Sequence, residues 1–294
     1  MQLDGYLESH YRYFPAELFQ TYVLYKRELF EEEYKKLFCK YPDCIVVEEN
    51  DFHSDFLEIV NKVDTKYILF GVDDVAYFDS VDLGLIDETF DSYPDDIFGF
   101  SLRCGQNILE SGKDEINDIA VRGQTIHRVN WVLGQTATTR YPFELCATIY
   151  RTPLIQEIIS STQNNNPIFK RLFTPGSLLI RVLGKVTSVR SILKFFGYFY
   201  SPNTVESWNC RWCQHNSGKL PNYLYFQKIC ASAIQVNMVN TSTKNDFDSD
   251  AEYTVEALNE KYKVGYRLDI DFVSDNKPTG THCGVELFKL TRNL

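Results

Sequence analysis

Two adjacent carboxylates, Asp73 and Asp74, end an apolar run in Lys66-Tyr-Ile-Leu-Phe-Gly-Val-Asp-Asp-Val-Ala-Tyr-Phe78. The run, Tyr67 to Val72, has the length and composition of a buried strand. Such a strand gains nothing by ending on two like charges unless something there needs them. At the carboxyl end of a strand in an open α/β sheet, side chains face the crevice where ligands bind. Two carboxylates there can hold a hard divalent cation, and the cation can hold a phosphate. The competing reading is a solvated acidic turn after a core strand. No Ser-His-Asp order, glycine-rich phosphate loop or HExxH accompanies the pair. As sequence neighbours, the two acids cannot straddle a glycosidic bond, so they do not form a glycosidase pair.

The elements needed to position these acids are visible as a helix–strand alternation. Leu3, Leu7, Tyr11 and Phe14 fall on one face of a helix that Pro15 ends. Thr21 to Tyr25 reads as a strand, Glu28 to Tyr41 as a helix, Cys44 to Glu48 as a strand and Phe52 to Val63 as a helix. Short connections between such elements predict an α/β fold with a mostly parallel sheet covered by helices. Further on, Leu83 to Phe90 reads as a helix and Ile97 to Leu102 as a strand. Residues 108–126 read as a polar loop, and 127–133 and 146–150 as strands. Pro153 to Ser160 begins a helix, and residues 161–200 show no clean period. Pro202 opens a helix carrying Val205, Trp208 and Trp212. Ile229 to Met238 is strand-like, Thr254 caps a helix ending at Gly265, and Leu268 to Phe272 reads as a half-exposed extended segment. With no repeat or low-complexity linker, residues 1–294 are expected to form one domain.

The bulk composition narrows the function. The chain has 294 residues, 44% hydrophobic and 24% charged, enough to bury a real core. A net charge of -10 argues against nucleic acid as a partner. Lys170, Arg171, Arg181, Lys185, Arg190 and Lys194 form a local basic stretch, read as solubilising charge, with peripheral membrane association as the alternative. No secretory signal or bilayer-spanning apolar run is seen, and eight scattered cysteines suit a reducing, cytoplasmic setting. The Asn240-Thr-Ser242 sequon carries no weight without a secretory route.

With these landmarks placed, the sequence resembles a glycosyltransferase of the GT-A (Rossmann-like) fold, of the family 2 type found among bacterial surface-polysaccharide enzymes. Met1-Gln-Leu-Asp-Gly-Tyr-Leu-Glu-Ser9 resembles the Q-L-x-x-x-L-E-S helix of such enzymes, and Tyr67 to Asp74 resembles their DxD segment. Phe100-Ser-Leu-Arg-Cys-Gly-Gln-Asn107 resembles the strand and turn that follow. Tyr141 to Arg151 resembles the acceptor-side strand, and Ser232 to Asn240 and Tyr253 to Asp269 the closing segments. The resemblance implies a nucleotide-sugar-binding half, 1–107, and an acceptor-side half, 108–294. It also implies a nucleotide-diphosphate-sugar donor, a glycan or lipid-linked acceptor, and a divalent cation (Mn²⁺ or Mg²⁺) that offsets charge on the departing diphosphate. Asp74 would be the metal ligand, with Asp73 assisting through the ribose or a metal-bound water.

The resemblance also calls for a general base near the acceptor hydroxyl. Glu206 and Glu144 are the candidates. The competing readings are a capping box of Asn203 with Glu206, and a surface acid at Glu144. Asp55 is a candidate for the base or ribose, or else a first-turn helix acid. Arg103 and Asn107 are candidates for donor phosphate or acceptor, or else turn-stabilising groups. Cys146-Ala147 stands where many relatives place Asp-Gly. The family's first strand and Arg-Pro are not seen, so either this strand lies upstream of Met1 or the chain is expected to bind donor poorly. These departures keep a second reading open, a non-catalytic glycan-binding or assembly protein. A nucleotidyltransferase is a weaker third, for want of a glycine-rich start. Cys210-Arg-Trp-Cys213 has zinc spacing but no second CxxC, and reads better as two thiols on a Trp-bearing helix.

Overall fold

The computed structural model describes residues 1–27, 29–163, 202–237 and 249–292. The first elements follow the alternation read from the sequence: helix α1 (Gln2–Tyr13), strand β1 (Tyr22–Tyr25), α2 (Glu31–Lys40), β2 (Ile45–Glu48), α3 (Phe52–Lys62) and β3 (Tyr67–Leu69). Leu7 of α1 is fully buried against Val23, Leu37 and Tyr41, so one apolar stripe fastens α1 to β1 and α2. Helix α2 carries three glutamates in its first turn and Lys40 in its last, as the helix dipole prefers. Strands β1 and β2 pair in parallel, and no further strand joins them among the described residues.

The remaining elements are β4 (Val75–Tyr77), α4 (Leu83–Ser92), β5 (Ile97–Ser101), α5 (Gln106–Ser111), β6 (Ile116–Val121), β7 (Gln124–Asn130), β8 (Thr148–Arg151), α6 (Thr152–Gln163), α7 (Pro202–His215), β9 (Asn222–Tyr225), β10 (Ala231–Ile234), α8 (Val255–Lys263), β11 (Tyr266–Leu268), α9 (Ile270–Asn276), β12 (His282–Cys283) and β13 (Leu290–Arg292). Six strands form the principal sheet, in the order β3-β8-β5-β9-β7-β6. The expected mostly parallel sheet is therefore corrected: the sheet is mixed. Within it only β5 and β9 pair as parallel neighbours. Strand β8 lies antiparallel between β3 and β5, and β6–β7 is a hairpin. The hairpin turns at Arg122 and Gly123, both with positive φ (50° and 73°), the geometry that suits a tight two-residue connection.

Three sequence expectations change. Residues 108–126 are not a loop: they hold most of α5 and all of β6, whose apolar positions are interrupted by Asn117 and Asp118. The segment 268–272 is not one extended run. It ends β11 and begins α9, because the Asp269 carboxylate accepts from the Phe272 amide at 2.8 Å and caps the helix. The run 67–72 is a strand only to Leu69. Its successor β4 belongs to a second sheet, β12-β10-β4. The basic stretch from Lys170 to Lys194, the sequon at Asn240 and the end of the Ser232–Asn240 segment lie outside the described residues. Among the described residues, no helix is long and apolar enough to cross a membrane.

Candidate active site

The acidic pair stands where the chain passes from one sheet to the other. The Val75 amide donates to the Val72 carbonyl at 3.1 Å and closes a turn around Asp73 and Asp74. The Ile234 amide donates to the Asp74 carbonyl at 2.7 Å, tying the turn to β10. Helix α1 presses on the same turn from outside. A Cβ at Gly71 would lie 2.1 Å from the Tyr6 hydroxyl, so only glycine admits this approach.

The two carboxylates diverge. Asp73 is exposed and helps line a cavity of about 100 Å³ with Phe30, Tyr34, Leu258 and Asn259. Asp74 is only 8% exposed, and its Oδ1 has no hydrogen-bond partner. A buried carboxylate oxygen without a donor is costly, which makes this atom a candidate ligand position. Burial pushes the Asp74 carboxyl up to about 7. The charge of Asp73 adds to the rise and Arg103 opposes it.

Arg103 enters from the end of β5. It forms a buried ion pair with Glu144, and its Nη1 donates to the Thr281 carbonyl at 3.3 Å and lies 3.3 Å from His282 Nε2. Its Nε has no acceptor. Glu144 accepts with its other oxygen from the Thr148 hydroxyl, while its own amide donates to the Tyr150 hydroxyl at 2.9 Å. Glu144 is therefore a buried strut and not a surface acid. Buried, it joins the segment after β5 to β8.

Glu206 lies in the first turns of α7, and its Oε1 accepts from the Leu145 amide at 2.6 Å. This bond ties α7 to the segment that carries Glu144. Burial pushes the Glu206 carboxyl up to about 7, with Glu144 adding to the rise and the Leu145 amide and Arg103 opposing it. The structure thus brings Asp74, Arg103, Glu144 and Glu206 into one electrostatic group, from four segments far apart in sequence. A site holding one cation and several partly desolvated carboxylates can take up a proton or a cation and can stabilise charge that develops nearby.

Other candidates have local partners. Asp55 accepts from the Asn50 and Asp51 amides at 2.7 and 2.9 Å, in the first turn of α3. Asn107 accepts from the Gly105 and Ile108 amides at 2.9 and 3.0 Å and donates to the Arg103 carbonyl at 3.3 Å, so it shapes the turn after Arg103. Cys210 and Cys213 are buried in the core around α7. Sequence reasoning did not anticipate Thr281 and His282 beside Arg103. They lie 178 and 179 positions away, and no local pattern links them.

No family model matches the chain. In an alignment of 181 positions that covers 54% of the chain, it is 24% identical to the bifunctional glycosyltransferase pgtA of Dictyostelium discoideum. The chain spans about a quarter of that relative, the matched part being 23% of it. Over about half its length, then, this chain is similar to a glycosyltransferase.

Proposed function

We propose that the chain is a glycosyltransferase that moves a sugar from a nucleotide-diphosphate-sugar donor to a hydroxyl of a glycan or lipid-linked acceptor. The observation that carries this reading is the buried Asp74 carboxylate, whose Oδ1 has no partner, grouped with Arg103 and Glu206 in a chain similar to a glycosyltransferase. The GT-A fold and the family 2 type belong to this proposal and rest on the motif resemblance.

The residues fit a divalent cation. Asp74 offers a buried oxygen with no donor; Asp73, just before it in the same turn, is exposed and lines a separate cavity, so Asp74 would be the protein's main ligand. No group of three or more His, Cys, Asp or Glu able to hold a metal is assembled among the described residues, so donor phosphates would complete the shell. Magnesium is commonly held this way, by one or two carboxylates together with substrate phosphate. When bound, Mn²⁺ or Mg²⁺ would neutralise charge on the departing diphosphate.

The chain's own groups then divide the work. Glu206 takes the proton of the acceptor hydroxyl, since one of its oxygens is fixed by Leu145 and its carboxyl lies near the working pH. Glu144 has both oxygens committed to Arg103 and Thr148, so it positions Arg103 and does not act as base. Arg103 supplies positive potential beside Asp74. The test is nucleoside-diphosphate release from UDP-, GDP- and CDP-sugars with manganese and a glycan acceptor. Turnover with one donor, reduced about 10²-fold or more in Glu206→Gln, is expected. No release and no binding with any donor would overturn the reading.

A further inference from the structure

One face of the principal sheet buries Ile126 of β7 and Leu224 of β9 completely in a shared core. Toward one end of these strands the same face turns polar. Arg128 stands opposite Leu224, and Asn130 opposite Asn222, in the pairing of β7 with β9. Asn117 of β6 stands opposite Arg128. Opposite residues of antiparallel strands, and alternate residues of one strand, share a face. Asn117, Arg128, Asn130 and Asn222 therefore continue the face that carries Ile126 and Leu224. Core gives way there to a cavity of about 730 Å³, lined by these four side chains with Asp96 and Gln135 among others. Asp96 precedes β5, whereas Arg103 of the candidate active site follows it. At ~3.3 Å per residue along a strand, the two lie roughly 20 Å apart.

The walls of this cavity are fixed by their own hydrogen bonds. The Asp96 carboxylate accepts from Arg128 Nη1 at 2.9 Å and from Asn222 Nδ2. Asn130 Oδ1 accepts from the Val132 and Leu133 amides at 3.0 and 3.2 Å. Asp114 accepts from the Gln135 amide at 2.5 Å and from the buried Thr139 hydroxyl at 3.1 Å, and Gln135 Nε2 donates to the Leu133 carbonyl at 2.6 Å. Each bond engages only part of a side chain. Among the described residues, Arg128 Nε and Nη2, Asn130 Nδ2, Gln135 Oε1 and the Asn117 amide remain as donors and acceptors. Both signs of charge line the cavity, Lys113 and Arg128 with Asp96, Asp114 and Glu115, so it has no strong field for an anion or a cation. Fixed donors and acceptors in near balance, beside the aliphatic Val129 and Leu133, match a neutral polyhydroxyl ligand. Each hydroxyl both donates and accepts, and the C–H faces of a sugar can rest on aliphatic side chains. We propose that this cavity is a second carbohydrate-binding site, which holds a neutral oligosaccharide at the end of β5 opposite Arg103. The site stands apart from glycosyl transfer, since none of its groups belongs to the cluster around Asp74.

The test is calorimetric titration of the full chain, without metal or nucleotide, against neutral gluco-, galacto- and manno-oligosaccharides. Inorganic phosphate and manganese alone serve as charged probes. At least one neutral oligosaccharide should bind. Asn117→Ala and Arg128→Gln should each weaken it by about fivefold or more, the worth of one net hydrogen bond. Asp74→Ala should leave the affinity unchanged. Asn117 is exposed on the edge strand β6, so its variant should melt with the wild type and keep the result readable even if Arg128→Gln unsettles Asp96. No binding of any of these oligosaccharides, or binding that Asn117→Ala leaves unchanged, would overturn the proposal. So would binding lost in Asp74→Ala, which would put the sugar in the candidate active site, or phosphate or manganese competing for the cavity more tightly than the sugar. Failure of donor turnover would leave this site standing, because the titration contains no donor.

Discussion

Arg103 and Glu144, forty-one positions apart, meet as a buried ion pair that commits the Glu144 carboxylate while the Arg103 guanidinium still acts on Asp74 and Glu206. The pair closes the site on the side of β5 and β8. Under the proposed reading it leaves Glu206, half-buried, as the carboxylate that would take the acceptor's proton.

Breaking this pair leaves an uncompensated buried charge, which typically costs about 3–5 kcal/mol. Glu144→Ala is therefore expected to lower stability by that order, while Glu206→Ala lowers it far less. Chemical denaturation of both variants checks the difference. An equal loss in the two would mean that Glu144 is not the strut described here.

Gly71 and Tyr6 form a second close relationship. Gly71→Ala places a methyl group against the Tyr6 hydroxyl, so the turn carrying Asp73 and Asp74 or helix α1 must move. A cost of about 1–3 kcal/mol is expected from such overpacking. Adding Tyr6→Phe removes the hydroxyl and should recover part of it. A double-mutant cycle by thermal unfolding reads the coupling between the two positions.

Ala147→Gly should stabilise the chain by roughly 1 kcal/mol if its left-handed conformation, with φ of 57°, is the main strain there, because glycine adopts that region freely. The gain is reduced by the greater backbone freedom of glycine in the unfolded chain. Differential scanning calorimetry checks the sign. A clear destabilisation would show that the methyl group packs more than the backbone strains.

The pH dependence follows from Glu206. Its carboxyl is raised from 4.5 to about 7 in the folded protein, so the folded state binds more protons across that window. Its contribution to stability is present below about 4.5 and is lost as pH rises through about 7. Glu206→Gln should thus stabilise the protein at pH 8, by about 1–2 kcal/mol after allowance for partial exposure, and change little at pH 5. Catalysis runs the other way: turnover should rise as pH passes about 7, and Glu206→Gln should lose that rising limb. Unfolding midpoints and rate profiles at both pH values check the two signs.

Part of this arrangement was legible in the sequence. Leu3, Leu7 and Tyr11 marked α1 through helical spacing, and the Tyr67 run with its two acids marked the turn proposed here as part of the site. The order of strands in the sheet was not legible. Strand β8 enters antiparallel between β3 and β5, and nothing in residues 146–150 encodes the direction of pairing. Strand β6 was hidden by Asn117 and Asp118, since a strand at a sheet edge tolerates polar residues. The break at Leu69 was missed because apolar Phe70 and Val72 continue the pattern of the strand while the backbone already turns toward β4. Asp74, Arg103, Glu144 and Glu206 were each singled out. Their assembly, and the pairing that distinguishes Glu144 from Glu206, came from tertiary contacts alone.

The central claim is that Asp74 is held unpaired to receive a cation and a donor diphosphate. Its most direct test is the melting temperature of the protein titrated with manganese and UDP-, GDP- and CDP-sugars, repeated with Asp74→Ala. A ligand that binds only the folded state raises apparent stability by mass action, about 2.7 kcal/mol at a hundred times its Kd. The account predicts a concentration-dependent rise with at least one donor, dependent on manganese and abolished in Asp74→Ala. A rise of equal size in the variant, or no rise with any donor in the wild type, would contradict it.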